Sequence, residues 1–268
     1  MKGLDRWIAK HRKLAKWLFG ALLVGCYSLL LVLGVPLWAV ILIDLFVLLV
    51  NSAHIDKSYE RLQKKSVQAL EENCDPYPLL QETAEQMSYE PTGLMEQVII
   101  INHALALREV GRYKDALELL NSINIDRYAG IFPNFRFVYY NNLTDVLTLL
   151  GNYPEAEVWY QKAVQIYQDM PENKLKQNLR PLVEAMAADA WFRRGEYEKT
   201  IECVNALYPS EAYNQINQAM LIARCYIALG QPEEARKPLE FVVAKGNRLH
   251  AVAQARAMLN NTIQAVTE

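Results

Sequence analysis

The chain has 268 residues, 52% hydrophobic and 22% charged, with a formal net charge of −2, and that length allows one or two domains. Residues 1–16 carry six Lys or Arg against Asp5, a net of +5, so the remainder carries −7, and a basic arm followed by apolar sequence points to a membrane surface rather than to nucleic acid. Four cysteines (Cys26, Cys74, Cys203, Cys225) without CxxC spacing or a nearby histidine cluster argue against a disulfide framework and a zinc site, and fit a reducing compartment.

From Trp17 to Val50, Asp44 is the single charged residue in 34 positions. A bilayer core needs roughly 20 apolar residues in a helix, so this run is too long for one straight span. It is also far longer than the apolar core of a signal peptide and lacks a small-x-small cleavage site before polar sequence. Gly34-Val35-Pro36 sits at its middle, where a helix breaks or kinks. The first expectation is a transmembrane helical hairpin over 17–50, broken at 34–36. Lys57, Arg61, Lys64 and Lys65 follow the run as six basic residues precede it, which places both ends in the cytoplasm. The alternative is a single span near 18–41 continuing as an interfacial helix. Asp44 reads either as an interfacial carboxylate or as a functional membrane charge. Ala21, Gly25 and Ser28 make a small-residue face on which a second copy of the helix can pack.

Residues 51–268 read as helix throughout, with no sustained period-2 alternation. Ser52 to Glu72 is amphipathic and ends before Asp75-Pro76. Residues 78–88 form a short helix, and Pro91-Thr92-Gly93 mark a loop. Region 51–94 is thus a helical linker or a degenerate first helix pair.

A phrase then returns four times. It reads Gly111-x-Tyr113-x-x-Ala116, Gly151-x-Tyr153-x-x-Ala156, Gly195-x-Tyr197-x-x-Thr200 and Gly230-x-Pro232-x-x-Ala235, with glycines 40, 44 and 35 residues apart. Such a period means that one supersecondary unit is being stacked. Glycine suits the left-handed end of one helix, and Pro154 and Pro232 suit the first turn of the next. Acidic residues there (Glu155, Glu157, Glu233, Glu234) complement the helix dipole. The phrases resemble the tetratricopeptide repeat, a helix–turn–helix unit. By that resemblance small residues in the first helix fall on Ala104, Thr144, Ala188 and Ala223, and large ones on Leu107, Leu147, Trp191 and Tyr226. The expected fold is an all-α solenoid: four repeats over 95–249, a fifth degenerate pair before them, and a capping helix with tail over 250–268. The family's initial Trp is absent, and extra residues fall at 121–136, with Tyr128, Phe132 and Phe135, and at 169–180.

The resemblance implies a protein- or peptide-binding adaptor, expected to be bacterial, and the apolar run would anchor it and hold its partner at the membrane. The polar groove positions carried over are Asn102, Arg108, Asn141, Asn142, Asp145, Asp189, Arg193 and Arg224. Asparagines there suit a peptide backbone and arginines suit carboxylates. No GxSxG, HExxH, Walker or GxGxxG motif is present, and the four histidines are scattered, so neither an enzyme nor a cofactor or metal is expected. The chain therefore reads as a membrane-anchored, cytoplasm-facing scaffold touching lipid and a protein partner, with possible pairing through the membrane segment. The alternatives are a self-assembling structural protein and a single-span protein with an exported chaperone-like domain.

Overall fold

The computed structural model describes residues 2–34, 36–125 and 133–267, and the side chains of residues 2, 19, 28, 29, 31, 37, 40, 44, 48–56 and 262–267 lie outside what it describes. The side chains of Ser28 and Asp44, and all of Tyr128 and Phe132, therefore fall outside it. The described residues are helical, without strands. In chain order they form α1 (Lys2–Lys10), α2 (Arg12–Val32), α3 (Leu37–Asn73), α4 (Tyr77–Met87), α5 (Leu94–Glu109), α6 (Tyr113–Asn121) and α7 (Pro133–Leu149). There follow α8 (Tyr153–Asp169), α9 (Lys174–Arg193), α10 (Tyr197–Asn205), α11 (Ala212–Ala228), α12 (Pro232–Lys245) and α13 (His250–Thr267).

The apolar run breaks where its glycine and proline stand. Gly34 takes φ +76°, Pro36 caps α3, and the chain turns from α2 into α3. No helix is long and apolar enough to cross a membrane among the described residues. The second limb does not end near residue 50. It runs on as α3 for 37 residues, about 55 Å at 1.5 Å per residue, and its last turns enter the body. The basic segment at the start is a helix docked on that body. Ala9 is buried with Tyr59, Leu62, Met95 and Ile99, and Tyr59 Oη donates to the Ala9 carbonyl at 3.0 Å. Arg61 Nη2 meets Asp5 at 2.5 Å, and Arg6 meets Glu82 at 2.9 Å.

The four repeats are the pairs α5–α6, α7–α8, α9–α10 and α11–α12. Each ends its first helix on a glycine with φ between +70° and +84°. The amide after each glycine donates back five residues: Arg112 to Leu107, Asn152 to Leu147, Glu196 to Trp191 and Gln231 to Tyr226, at 2.8–3.0 Å. This closes the orphan carbonyls of the helix end. The small positions explain how closely the helices of a pair approach. Ala104, Thr144, Ala188 and Ala223 on the first helices, and Ala116, Ala156, Thr200 and Ala235 on the second, are all at most 1% exposed. A larger side chain at any of them would wedge the pair apart. Phe135, read from sequence as part of an inserted loop, belongs to α7 and lies in the core with Phe137 and Leu143.

The stack curls until its ends meet. The end of α3 packs on α11, and Leu70, Cys74 and Leu79 share one core with Ile216, Met220, Leu239 and Leu249. Arg248 N donates to the Cys74 carbonyl at 3.3 Å, Arg248 pairs with Asp75 at 3.2 Å, and Asn247 Nδ2 donates to the Asn73 carbonyl at 2.8 Å. At the same seam the α13 ring of His250 sits on the first repeat turn, edge-on to Tyr113 at 5.8 Å. A Cβ on Gly111 would stand 2.6 Å from that ring, so this glycine is demanded twice, by φ +84° and by the neighbour.

Candidate functional site

The first helices of the repeats face inward, and closure of the stack narrows what would be an open groove to a half-open pocket of about 150 Å³. Arg108, Glu109, Asp145, Asp189, Arg224 and Tyr213 line it, with His250 and Gln254 of α13 along its edge. So many charged groups are tolerated because most answer one another. Arg108 Nε donates to Glu109 at 2.7 Å, Nη1 to Asp145 at 2.5 Å and Nη2 to Tyr213 Oη at 2.6 Å. Tyr213 Oη in turn donates to Glu109 at 2.9 Å. The network ties the first repeat to the second and, across the seam, to the fourth. Burial works to strip the Arg108 charge, but Tyr213, Glu109 and Asp145 outweigh it and hold the guanidinium well above its ordinary pKa.

Asp189 lies in the same space under different terms. Burial, and then the charge of Asp145, push its carboxyl up to about 7, against the pull of Arg193, Arg224 and Arg108. Near neutral pH it therefore exchanges a proton. Arg224 Nη2 donates to Gln254 Oε1 at 3.1 Å, and Gln254 Nε2 donates to Tyr113 Oη at 3.0 Å, which binds the capping helix to the first and fourth repeats.

Of the eight groove positions expected from sequence, four line this cavity: Arg108, Asp145, Asp189 and Arg224. The other four serve the packing of the stack. Asn102 Nδ2 donates to Gln63 at 2.6 Å and Gln63 to Gln86 at 2.6 Å, a polar ladder joining α5, α3 and α4. Asn142 Nδ2 returns to the Val138 carbonyl at 2.9 Å, and Asn141 Nδ2 reaches Asp145 at 3.5 Å with its Oδ1 buried and unpartnered. Arg193 is buried between repeats, 3.4 Å from Glu157 and Thr148, with its guanidinium 5.3 Å over Tyr160.

Sequence reasoning missed Glu109, Tyr213, Gln254 and His250. A local signal existed for one of them: Arg108-Glu109 is a charged pair at the end of an otherwise apolar helix, and such a pair needs buried partners. The twelve repeat-signature positions lie at the turns between the paired helices and in the first turns of the second helices. Tyr153 and Tyr197 both pack on Phe192, at 6.5 and 5.7 Å, so the aromatic wedges also join the second repeat to the third. Around them Lys199 lies 4.1 Å over Trp191, and Arg194 lies 5.2 Å over it while pairing with Glu157 at 2.5 Å. Among the described residues no group of three or more His, Cys, Asp or Glu is placed to hold a metal. The site balances charge around a small half-open pocket.

A family model described as the SusR N-terminal TPR domain matches residues 80–242, which spans α5 to α12 with the last part of α4. No curated protein and no solved structure matches the chain.

Proposed function

Because the chain belongs to the family of the SusR N-terminal TPR domain, a family of protein-interaction repeats, we propose that it holds a protein or peptide partner at a membrane. The repeats are the binding body and the α2–α3 hairpin is the anchor. One observation carries the anchor: the hairpin exposes its large apolar side chains along both limbs. Trp17 is 79% exposed and Val32 84%, and Leu22, Val24, Trp38, Ile41 and Phe46 are each more than half exposed. The apolar stretch of α2 over 17–32 rises about 24 Å, with Arg12, Lys13 and Lys16 at its base, against a hydrocarbon core of about 30 Å. A contiguous apolar surface of this extent marks a membrane or partner contact. The basic flanks support a cytoplasmic body. Lys10 and Lys16 at the hairpin base stay exposed, where anionic headgroups would meet them.

The partner surface that the chain leaves open is the turn edge of the second and third repeats. Tyr153 is exposed there, and Trp191 carries Lys199 and Arg194 on its ring. Aromatic and arginine side chains of this kind dominate protein interfaces. This is a reading of binding, without a catalytic step.

The experiment is protease treatment of a tag placed after Glu268, in intact cells and in inverted membrane vesicles, combined with in-cell crosslinking. Cleavage only in inverted vesicles, with crosslinks lost in Trp191→Ala/Lys199→Glu, supports the proposal. Cleavage from outside intact cells overturns the cytoplasmic placement, and unchanged crosslinks overturn the partner surface. Exposed Ala21 and Gly25 on α2 favour a second reading, in which two copies also pair through the hairpin. Disulfide trapping through Cys26 would reveal such pairs.

A further inference from the structure

The half-open pocket holds a carboxyl and a guanidinium that no counter-charge in its walls meets at hydrogen-bond distance among the described residues. Arg108 is matched by Glu109 and Asp145 within 2.7 Å. Asp189, on α9, has no hydrogen bond or ion pair among the described residues. Arg224, on α11, has Gln254 as its hydrogen-bond acceptor and no carboxylate within 4 Å among the described residues. Both line the same cavity from adjacent repeats. An unanswered charge in a confined space is costly unless a ligand meets it.

We propose that this cavity is a binding site for a small zwitterion, a free α-amino acid, with its carboxylate on Arg224 and its ammonium on Asp189. The planar fork of a guanidinium suits a carboxylate in two parallel bonds. An ammonium against Asp189 favours the ionised form of that carboxyl. The volume agrees: about 150 Å³, at roughly 15 Å³ for each water-sized probe, holds on the order of ten non-hydrogen atoms. Met220 and Leu221 in the same wall offer apolar contact to a side chain. A neutral sugar of that size would leave both charges unanswered. A phosphate would satisfy Arg224 but meet Asp145, Glu109 and Asp189, three carboxyl groups, in the same space.

The position of the site gives binding a consequence. A ligand held by Asp189 and Arg224 touches the third and fourth repeats beneath α13, beside the Gln254–Tyr113 bond that closes the stack. Occupancy therefore fastens the third repeat to the fourth beneath the capping helix. The inference is independent of the membrane anchor and of the partner surface.

The test uses the full-length chain in detergent micelles, titrated calorimetrically and by thermal melting with each standard L-amino acid at millimolar concentration. For any that binds, the matching decarboxylated amine and deaminated acid follow, with glucose and inorganic phosphate as controls. The expected result is saturable binding of at least one amino acid, with both truncated analogues at least 100-fold weaker. Arg224→Gln and Asp189→Asn should each weaken binding at least tenfold with unchanged far-ultraviolet dichroism, and hydrogen exchange in α13 should slow on binding. Should Arg224→Gln fail to fold, Leu221→Trp, which fills the cavity, gives the same readout. The proposal is overturned if no amino acid binds, if a truncated analogue binds as well as its parent, or if glucose or phosphate binds where amino acids do not.

Discussion

The hairpin and the ring invert each other's chemistry. In the α2–α3 hairpin, Trp17, Val24, Val32 and Phe46 point outward. In the ring, Arg108, Glu109 and Arg193 are at least nine-tenths buried. The same chain thus exposes its apolar side chains in one place and encloses its charges in another. Each choice makes sense only when the surrounding medium is specified. A helix apolar on its outer face is at ease in lipid. A buried arginine is at ease only when carboxylates and a phenol surround it. Hydrophobic-inside is therefore a rule about water, and the proposal of a membrane anchor rests on the hairpin's departure from it.

The largest effect should come from placing a charge where the account puts hydrocarbon. Arg at Val24 and at Ile43 together, each costing about 2.5–3.5 kcal/mol at mid-membrane, should move the chain from the carbonate-resistant pellet to the supernatant. The same pair placed on the exposed ring surface, at Gln161 and Gln165, should leave it in the pellet. Next in size is the buried network. Arg108→Ala leaves Glu109 and Asp145 unpaired and should cost about 3–5 kcal/mol, read as a lowered thermal midpoint. Arg108→Met, which keeps the volume but also strands the carboxylates, should do little better. Arg108→Met combined with Glu109→Gln and Asp145→Asn should recover most of the loss.

These two regions were unequally legible in the sequence. The repeats could be read because their determinants are local. A glycine at a helix end, an aromatic two residues on and a small residue three further fix a turn whatever surrounds it, and all four glycines take the left-handed conformation. The apolar run and its break at Gly34 were visible for the same reason. Closure was not. The contacts that make it, Arg248 with Asp75, Tyr213 with Arg108 and Gln254 with Tyr113, join residues 105–173 positions apart, and no local rule links them. The expected open groove is therefore narrowed to a small half-open pocket lined by four of its eight polar positions. Likewise a basic N-terminal segment reads as a lipid-facing arm until Ala9 and Asp5 find Tyr59 and Arg61 across the fold.

Smaller effects sharpen the picture of the ring. Gly111 and Gly151 have nearly the same φ, +84° and +77°, but a Cβ at Gly111 would strike His250 whereas one at Gly151 would meet open space. Gly151→Ala should cost about 1 kcal/mol from backbone strain, and Gly111→Ala more, with the excess removed when His250 is also made Gly. Chemical denaturation of the four variants would measure the coupling. A further effect is the pH dependence of Asp189. Its folded pKa of about 7 lies above the unfolded value, so its stabilising share is present below about pH 4 and is lost as pH rises through 7. Asp145, Arg193, Arg224 and Arg108 are the charges that act on it. Asp189→Asn should therefore gain stability relative to the parent as pH rises from 5 to 8, by a few kcal/mol at most. An advantage that shrinks with rising pH would contradict this.

The account stands or falls on the medium around the hairpin, and Cys26, exposed on α2, reports on it directly. Membranes opened so that both faces are reached would be treated with a membrane-impermeant maleimide, and modification at Cys26 read by mass spectrometry against an aliquot dissolved in dodecyl sulfate. The account predicts that Cys26 stays unmodified in the membrane and reacts fully once dissolved. Reaction at the same rate in both would place α2 in water and contradict it.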